Sequence, residues 1–264
     1  MSGRRAVAVP ALCLLVPLFP PACAPSPSTA PSPVLSAAPS AARLPQAVAG
    51  RRDGEERGSA STADPPAAIL GRSMQLRGKS VHLREAGPLD GPSVLLLHGQ
   101  AFHSGTWEEL GTLAYLAERG LRVVAVDAPG YGASEASGVT RERFLEELVP
   151  ALGLRRPVIV APSMAGSFAF PYLARHGGEL AGFVGIAPAG SAEWARRLAP
   201  CAAPALIVWG TADSVFPVSD AEVLAGAFTD GRTLLLEGAR HPAYLDRPEE
   251  FHAALADFVA ERAR

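Results

Sequence analysis

The sequence predicts an α/β fold, a mostly parallel central sheet with helices on both faces. Three observations lead there. Short apolar runs recur along residues 69–264, and helical patterns separate most of them. The runs are apolar at successive positions rather than alternate ones, as strands buried on both faces must be. An antiparallel hairpin, marked by Gly78-Lys79, stands ahead of the first run.

The elements follow in order. Gln75–Arg77 and Ser80–Glu85 are the hairpin strands. Ser93–His98, Arg122–Val126, Pro157–Val160, Gly182–Ile186, Ala205–Trp209 and Leu234–Leu236 are the buried strands. Thr106–Arg119 carries Trp107, Leu110, Leu113 and Leu116 at helical spacing. Thr140 is a fitting N-cap for a helix over Arg141–Leu152. Met164–His176 and Ser219–Ala227 are the next helices. Pro248–Arg262 opens with proline at the first helical position and Glu249-Glu250 in the first turn, where the helix dipole favours acids. Strand and helix alternate without an internal repeat, so both faces of the sheet are expected to be covered.

Residues 1–68 read differently. Arg4 and Arg5 precede an apolar run from Ala6 to Phe19, and small residues Ala22-Cys23-Ala24 follow. That order is the layout of an export signal over residues 1–24. Pro10, Pro17, Pro20 and Pro21 interrupt the run, which also falls short of the ~20 residues a membrane-crossing helix needs. Cleavage after Ala24 would free a secreted or periplasmic protein. Cleavage before Cys23 would leave a lipidated cysteine and a membrane tether, and an uncleaved anchor is a third outcome. Residues 25–68 are rich in Pro, Ala and Ser and hold no lasting apolar period, so they read as a flexible linker. The folded domain is then 69–264, with Cys201 as its one cysteine, placed as a buried, inert thiol.

Composition narrows function. The 264 residues carry 24 basic and 26 acidic side chains, a formal charge of −2. Such a balance gives no global attraction for nucleic acid. There is no zinc-finger spacing, Walker loop or GxGxxG, and neither a metal nor an organic cofactor is expected.

In an open α/β sheet, ligands bind beyond the carboxyl ends of the strands. Four loops there hold chemistry. Leu97-His98-Gly99-Gln100 turns sharply at a glycine, which lets the Gln100 N–H face a ligand. Ala161-Pro162-Ser163-Met164-Ala165 lies between a strand and a helix, the place of a G-x-S-x-G nucleophile elbow, with both motif glycines replaced by alanine. There the Met164 N–H opens a helix and suits an anion. Asp213 follows the strand ending at Trp209, and His241 follows the last strand in a glycine-containing loop. Singly, each residue has an ordinary alternative: N-cap, turn acid, surface histidine. Jointly they keep the chain order Ser, Asp, His of the α/β-hydrolase fold. In that reading Ser163 is the nucleophile, His241 the base and then acid, Asp213 its orienting partner, and the N–H groups of Gln100 and Met164 the oxyanion hole.

Other candidates are set aside. Asp127 begins Asp-Ala-Pro-Gly-Tyr-Gly-Ala-Ser134, a structural turn. Asp220 and Asp246 read as helix-flanking or surface acids. His98 reads as a structural hydrogen-bonder. His82, His176 and His252 read as solvated, and His103 as a pocket-lining residue.

Val94-Leu-Leu-Leu-His-Gly99, Thr106-Trp-Glu-Glu-Leu-Gly-Thr-Leu113, Pro162-Ser-Met-Ala-Gly166 and His241-Pro-Ala-Tyr-Leu-Asp-Arg-Pro-Glu-Glu250 resemble the alpha/beta hydrolase domain-containing protein 14 family, across about residues 74–262. That family also has proline before its nucleophile and lacks the first elbow glycine. The resemblance implies the same triad and hydrolysis of small activated esters. One branch is described as moving an acetyl group from lysine to coenzyme A.

Only Pro188 to Pro204 separates two neighbouring strands where this fold often inserts a lid, with room for one short helix over Ser191–Leu198. A minimal lid implies an open, shallow site for short acyl groups. The expected activity is therefore a serine hydrolase cleaving a small-molecule acyl ester, or an amide, through an acyl-enzyme. Acyl transfer to a thiol acceptor and a non-catalytic binding role on the same fold are the alternatives.

Overall fold

The computed structural model describes residues 68–136 and 138–262. The expected export signal and most of the linker lie outside the described residues. One sheet holds eight strands: β1 (Leu70–Leu76), β2 (Lys79–Ala86), β3 (Ser93–Leu96), β4 (Arg122–Val126), β5 (Val158–Pro162), β6 (Gly182–Ile186), β7 (Ala205–Gly210) and β8 (Gly231–Leu236). Their spatial order is β1-β2-β4-β3-β5-β6-β7-β8. β2 runs antiparallel to both its neighbours, β1 and β4, and every other pairing is parallel.

The apolar runs of β3 to β7 work as expected for doubly buried strands, whereas β8, expected to be buried too, is an edge strand with only Leu236 fully buried and Leu235 47% exposed. Leu95, Ile159, Phe183 and Ile207 face one side, while Val94, Leu96, Val158, Val160, Val184 and Val208 face the other. Successive side chains of a strand point to opposite faces, so a continuous apolar run feeds two cores at once. The first core is closed by α3 (Arg141–Ala151), α4 (Gly166–His176), α5 (Ser191–Leu198) and α6 (Asp220–Ala225). The second is closed by α1 (Ser104–Glu109), α2 (Thr112–Ala117), α7 (Ala243–Asp246) and α8 (Pro248–Arg262).

The structure differs from the sequence reading at several points. The helix expected over Thr106–Arg119 is two helices, because Gly111 takes φ 78°, a left-handed conformation that ends α1 and starts α2. Thr140 does stand at the N-cap of α3, but its side chain makes no capping hydrogen bond. His252, read as solvated, is buried on α8 and sits 2.8 Å from Thr112 Oγ1 on α2. Burial, and then the charge of Arg119, hold its pKa below the ordinary histidine value. The short α7 was not foreseen. It is held by Tyr244, which stacks on Trp107 at 4.6 Å. Trp107 in turn donates its indole N–H to the Leu97 carbonyl at 2.9 Å. That chain of contacts ties the segment after His241 to the end of β3.

α5 occupies the residues allotted to the lid. It lies against α4 and α6, with Trp194 stacked on Phe170 at 5.8 Å, as part of the helical layer. Among the described residues no helix is long and apolar enough to cross a membrane.

Candidate active site

Four loops at the carboxyl edge of the sheet converge. β5 ends at Pro162, and Ser163 follows with φ 47°, opening a single 3-10 turn over Ser163–Ala165 before α4. A left-handed conformation at a non-glycine residue costs about 1–3 kcal/mol and persists only where the surroundings enforce it. Here the Ser163 carbonyl accepts from Ala189 N–H at 2.8 Å, and Ala161 and Ala165 are fully buried beside it. Alanine suffices at both motif positions. The glycine that this elbow requires is Gly166, one residue further on. A Cβ there would lie 2.7 Å from the Ala189 carbonyl oxygen. The sequence reading weighed the two alanines and missed the neighbour that substitutes for them.

His241 Nε2 lies 2.9 Å from Ser163 Oγ, and Nδ1 lies 2.8 Å from Asp213 Oδ2. A carboxylate only accepts, so Nδ1 carries the proton and Nε2 presents its lone pair to the serine hydroxyl. The Asp213 side chain is fully buried and the His241 side chain is 11% exposed. The second oxygen of Asp213 accepts from the N–H groups of Val215 and Phe216 at 2.8 and 3.0 Å, which satisfies the buried carboxylate and fixes its plane. Phe216 meets the His241 ring edge-on at 5.3 Å and covers it. Gly210, at the end of β7, lets the two loops touch. A Cβ there would fall 2.1 Å from the Ala239 carbonyl oxygen.

The loop after β3 completes the site. A Cβ on Gly99 would stand 3.7 Å from Ser163 Cβ and 3.2 Å from the Phe102 ring, so this backbone runs directly past the serine. The Gln100 N–H has no acceptor among the described residues. Met164 is the second residue of its turn, and its N–H has no carbonyl within that turn to bond. Two backbone N–H groups without a carbonyl partner, one on each of the two loops that meet at Ser163, are thus the candidates for receiving an oxyanion.

His98 holds this loop. The Ala128 N–H takes the Nε2 lone pair at 2.9 Å, so the ring proton is on Nδ1, which donates to the Gly99 carbonyl at 2.8 Å. Burial keeps its pKa below the ordinary value, against the opposing pull of the Gly99 carbonyl and Asp127. Asp127 is structural, as read. Its oxygens accept from the N–H groups of Ser104 and Ala133 at 2.6 and 2.8 Å. Burial alone would raise its pKa, and those bonds outweigh burial and hold it low. His103, read as pocket-lining, instead caps α1 by accepting from Gly105 N–H at 3.1 Å. His82 and His176 are half-buried, near Ser73 Oγ at 3.4 Å and Glu179 Oε1 at 3.1 Å.

A cleft of about 340 Å³ adjoins His241. Phe102, Val215, Pro242 and Leu245 give it apolar walls, and Ser214, Arg240 and Asp246 give it polar ones. Asp246 is a surface acid, as expected, and it is also bonded by the Arg240 guanidinium and backbone N–H, which push its pKa down to about 2. Among the described residues no group of three or more His, Cys, Asp or Glu could hold a metal ion.

The comparisons agree with this architecture. The family model for the alpha/beta hydrolase fold matches residues 92–203. The chain is 40% identical to protein ABHD14A of Danio rerio over 212 residues, covering 73% of this chain and 77% of that one. It is also 40% identical to "Putative protein-lysine deacylase ABHD14B" of Homo sapiens over 198 residues, covering 71% of this chain and 93% of that one. Among solved structures, the "predicted CIB-like hydrolase" of Thermoplasma acidophilum superposes with TM-score 0.69 at 26% identity, over 73% of this chain and 98% of that one. Carboxylesterase CesB of Bacillus subtilis shares the fold, with TM-score 0.66 at 19% identity, over 74% and 92%. With its sheet order, its elbow and relatives of this identity and coverage, the chain belongs to the ABHD14 family of α/β hydrolases.

Proposed function

We propose that this protein is a serine hydrolase that cleaves short-chain acyl esters through an acyl-enzyme. One observation carries the reading: the unbroken hydrogen-bonded line from Ser163 Oγ through His241 to the buried Asp213. As Oγ attacks the acyl carbonyl, His241 Nε2 takes its proton and Asp213 stabilises the resulting imidazolium. The N–H groups of Gln100 and Met164 receive the oxyanion, each worth about 3 kcal/mol in such sites. His241 then gives its proton to the leaving group, which departs and leaves Ser163 acylated. A water deprotonated by His241 releases the acid and restores the serine. The packing of α5 within the helical layer supports short acyl groups, since no residue of α5 lines the cleft beside His241. A chain-length series of p-nitrophenyl esters tests this. Turnover should fall from acetate and butyrate toward decanoate, and a preference for decanoate would defeat the short-chain reading.

The name of the human relative favours a second reading, in which the acyl donor is an acylated lysine amide. The same line of residues would attack the amide and could pass the acyl group to a thiol. An acetyl-lysine peptide assayed with and without added thiol separates the two readings. Export through residues 1–24, with Cys23 as a candidate lipid anchor, stands beside these as a proposal from sequence alone.

A further inference from the structure

The residue before the proposed base has an unusual setting. The Arg240 side chain is 77% exposed, yet it is clamped in place. Nε donates to Asp246 Oδ2 and Nη2 to Oδ1, both at 2.9 Å, and the Arg240 backbone N–H also reaches Oδ2 at 2.8 Å. This is the side-on fork of a guanidinium on a carboxylate. It leaves the end-on edge, formed by Nη1 and the second Nη2 hydrogen, without an acceptor among the described residues. Asp246 already receives three donors. The pair therefore offers an approaching molecule parallel N–H donors and little free acceptor capacity. Both side chains line the cleft beside His241, whose other walls are largely apolar.

Position decides which end of the substrate meets this edge. The base must hand its proton to the leaving-group atom, so the leaving group has to lie within hydrogen-bond reach of His241 Nε2. Arg240, Pro242 and Leu245 share the His241 loop and the cleft that adjoins it. We propose that this cleft is a leaving-group subsite and that the free edge of Arg240 selects esters whose alcohol portion carries a carboxylate. A second carboxylate matches the end-on edge as the first matches the side-on edge, two oxygens against two parallel N–H bonds. Phe102, Val215 and Leu245 would hold the apolar spacer between that carboxylate and the scissile oxygen. Asp246 is the positioning residue that holds the exposed guanidinium in one orientation. The inference rests on the hydrolase reading above for its chemistry, but the binding it predicts can be read without turnover.

The test compares phenyl acetate, 4-acetoxybenzoate and 4-acetoxyphenyl-trimethylammonium on the full-length protein, its Arg240→Gln and Arg240→Lys variants, and Ser163→Ala. The ratio of kcat/KM for the anionic ester to that for phenyl acetate cancels the intrinsic reactivity of each ester between variants. Arg240→Gln should lower that ratio about fivefold, a modest effect because the site is solvent-exposed. Arg240→Lys, which keeps the charge but not the fork, should recover only part of it, and the cationic ester should gain rather than lose. An unchanged ratio, or an equal fall for all three esters, overturns the proposal and leaves Arg240 as a support of the His241 loop. If no ester is turned over in a Ser163-dependent way, the hydrolase reading fails by itself. Binding of 4-hydroxybenzoate, followed by ligand-observed NMR, then decides the subsite. Loss of binding in Arg240→Gln upholds it, and equal binding to both proteins overturns it.

Discussion

The ring of His98 donates from Nδ1 to the carbonyl of Gly99 at 2.8 Å, and the Phe102 N–H reaches the same oxygen at 3.1 Å. That carbonyl belongs to the peptide unit whose N–H is Gln100's. A peptide is planar, so holding its oxygen fixes the direction of its N–H on the opposite side. His98 thus aims a proposed oxyanion donor while touching no substrate. His98→Ala should lower kcat on the order of tenfold, short of the larger loss expected when such a donor is removed outright, and leave KM nearly unchanged. A rise in KM with constant kcat would instead mean that the loop shapes the ground-state cleft.

Gly210 lets the acid loop and the histidine loop meet. With a Cβ 2.1 Å from the Ala239 oxygen, Gly210→Ala must push the two loops apart. The expected cost is about 1–3 kcal/mol of stability in denaturant titration, typical of overpacking, together with a fall in activity. A variant of wild-type stability and activity would show that the loops can part without disturbing His241.

Tyr244 makes the opposite case. Its ring stacks on Trp107, but its hydroxyl is buried with no hydrogen-bond partner among the described residues, and burial raises its pKa. An unpaired buried hydroxyl costs about 1–3 kcal/mol. Tyr244→Phe should therefore leave the melting temperature unchanged or raise it. A clear loss of stability would reveal a partner for the hydroxyl.

His252 carries a pH dependence. Its folded pKa is lowered by burial, so between that value and the ordinary histidine value near 6.5 the unfolded chain binds the proton more readily. Its contribution to stability is complete above the unfolded pKa and is lost as pH falls through the folded one. His98 has the same sign. The melting temperature should drop between pH 7 and pH 5, and His252→Gln should narrow that drop. An equal drop in the variant would assign it to other groups.

Much of this was legible in the sequence, for a physical reason. Doubly buried strands must be apolar at every position, so Val94–Leu96, Val158–Val160 and Ala205–Trp209 announce themselves without neighbours. The ends of the last two place Ser163 and Asp213 on one edge of the sheet, and the end of the shorter run Leu234–Leu236 places His241 there. What stayed hidden depends on contacts across the chain. Thr106–Arg119 keeps an apolar period through Gly111, and only the φ of that glycine breaks the helix. Gly166 matters because Ala189 comes within 2.7 Å of where its Cβ would be, a distance no local pattern records. His252 looked like a polar residue on an exposed face because its partner, Thr112, is 140 residues away. Arg240 and Asp246 are six apart, with Asp246 at the end of the short α7, a spacing that carries no familiar signature.

The central claim is that Ser163, His241 and Asp213 act together on an acyl group, and turnover of p-nitrophenyl acetate tests it most directly. Wild-type protein, Ser163→Ala, His241→Ala and Asp213→Asn should be measured side by side on the full chain. Repeated turnover by wild type is expected, with Ser163→Ala and His241→Ala each lower by several orders of magnitude and Asp213→Asn lower by about 10⁴ through the wrong imidazole tautomer. Equal rates in all four proteins would contradict the account and leave a hydrogen-bonded triad that does no acyl chemistry.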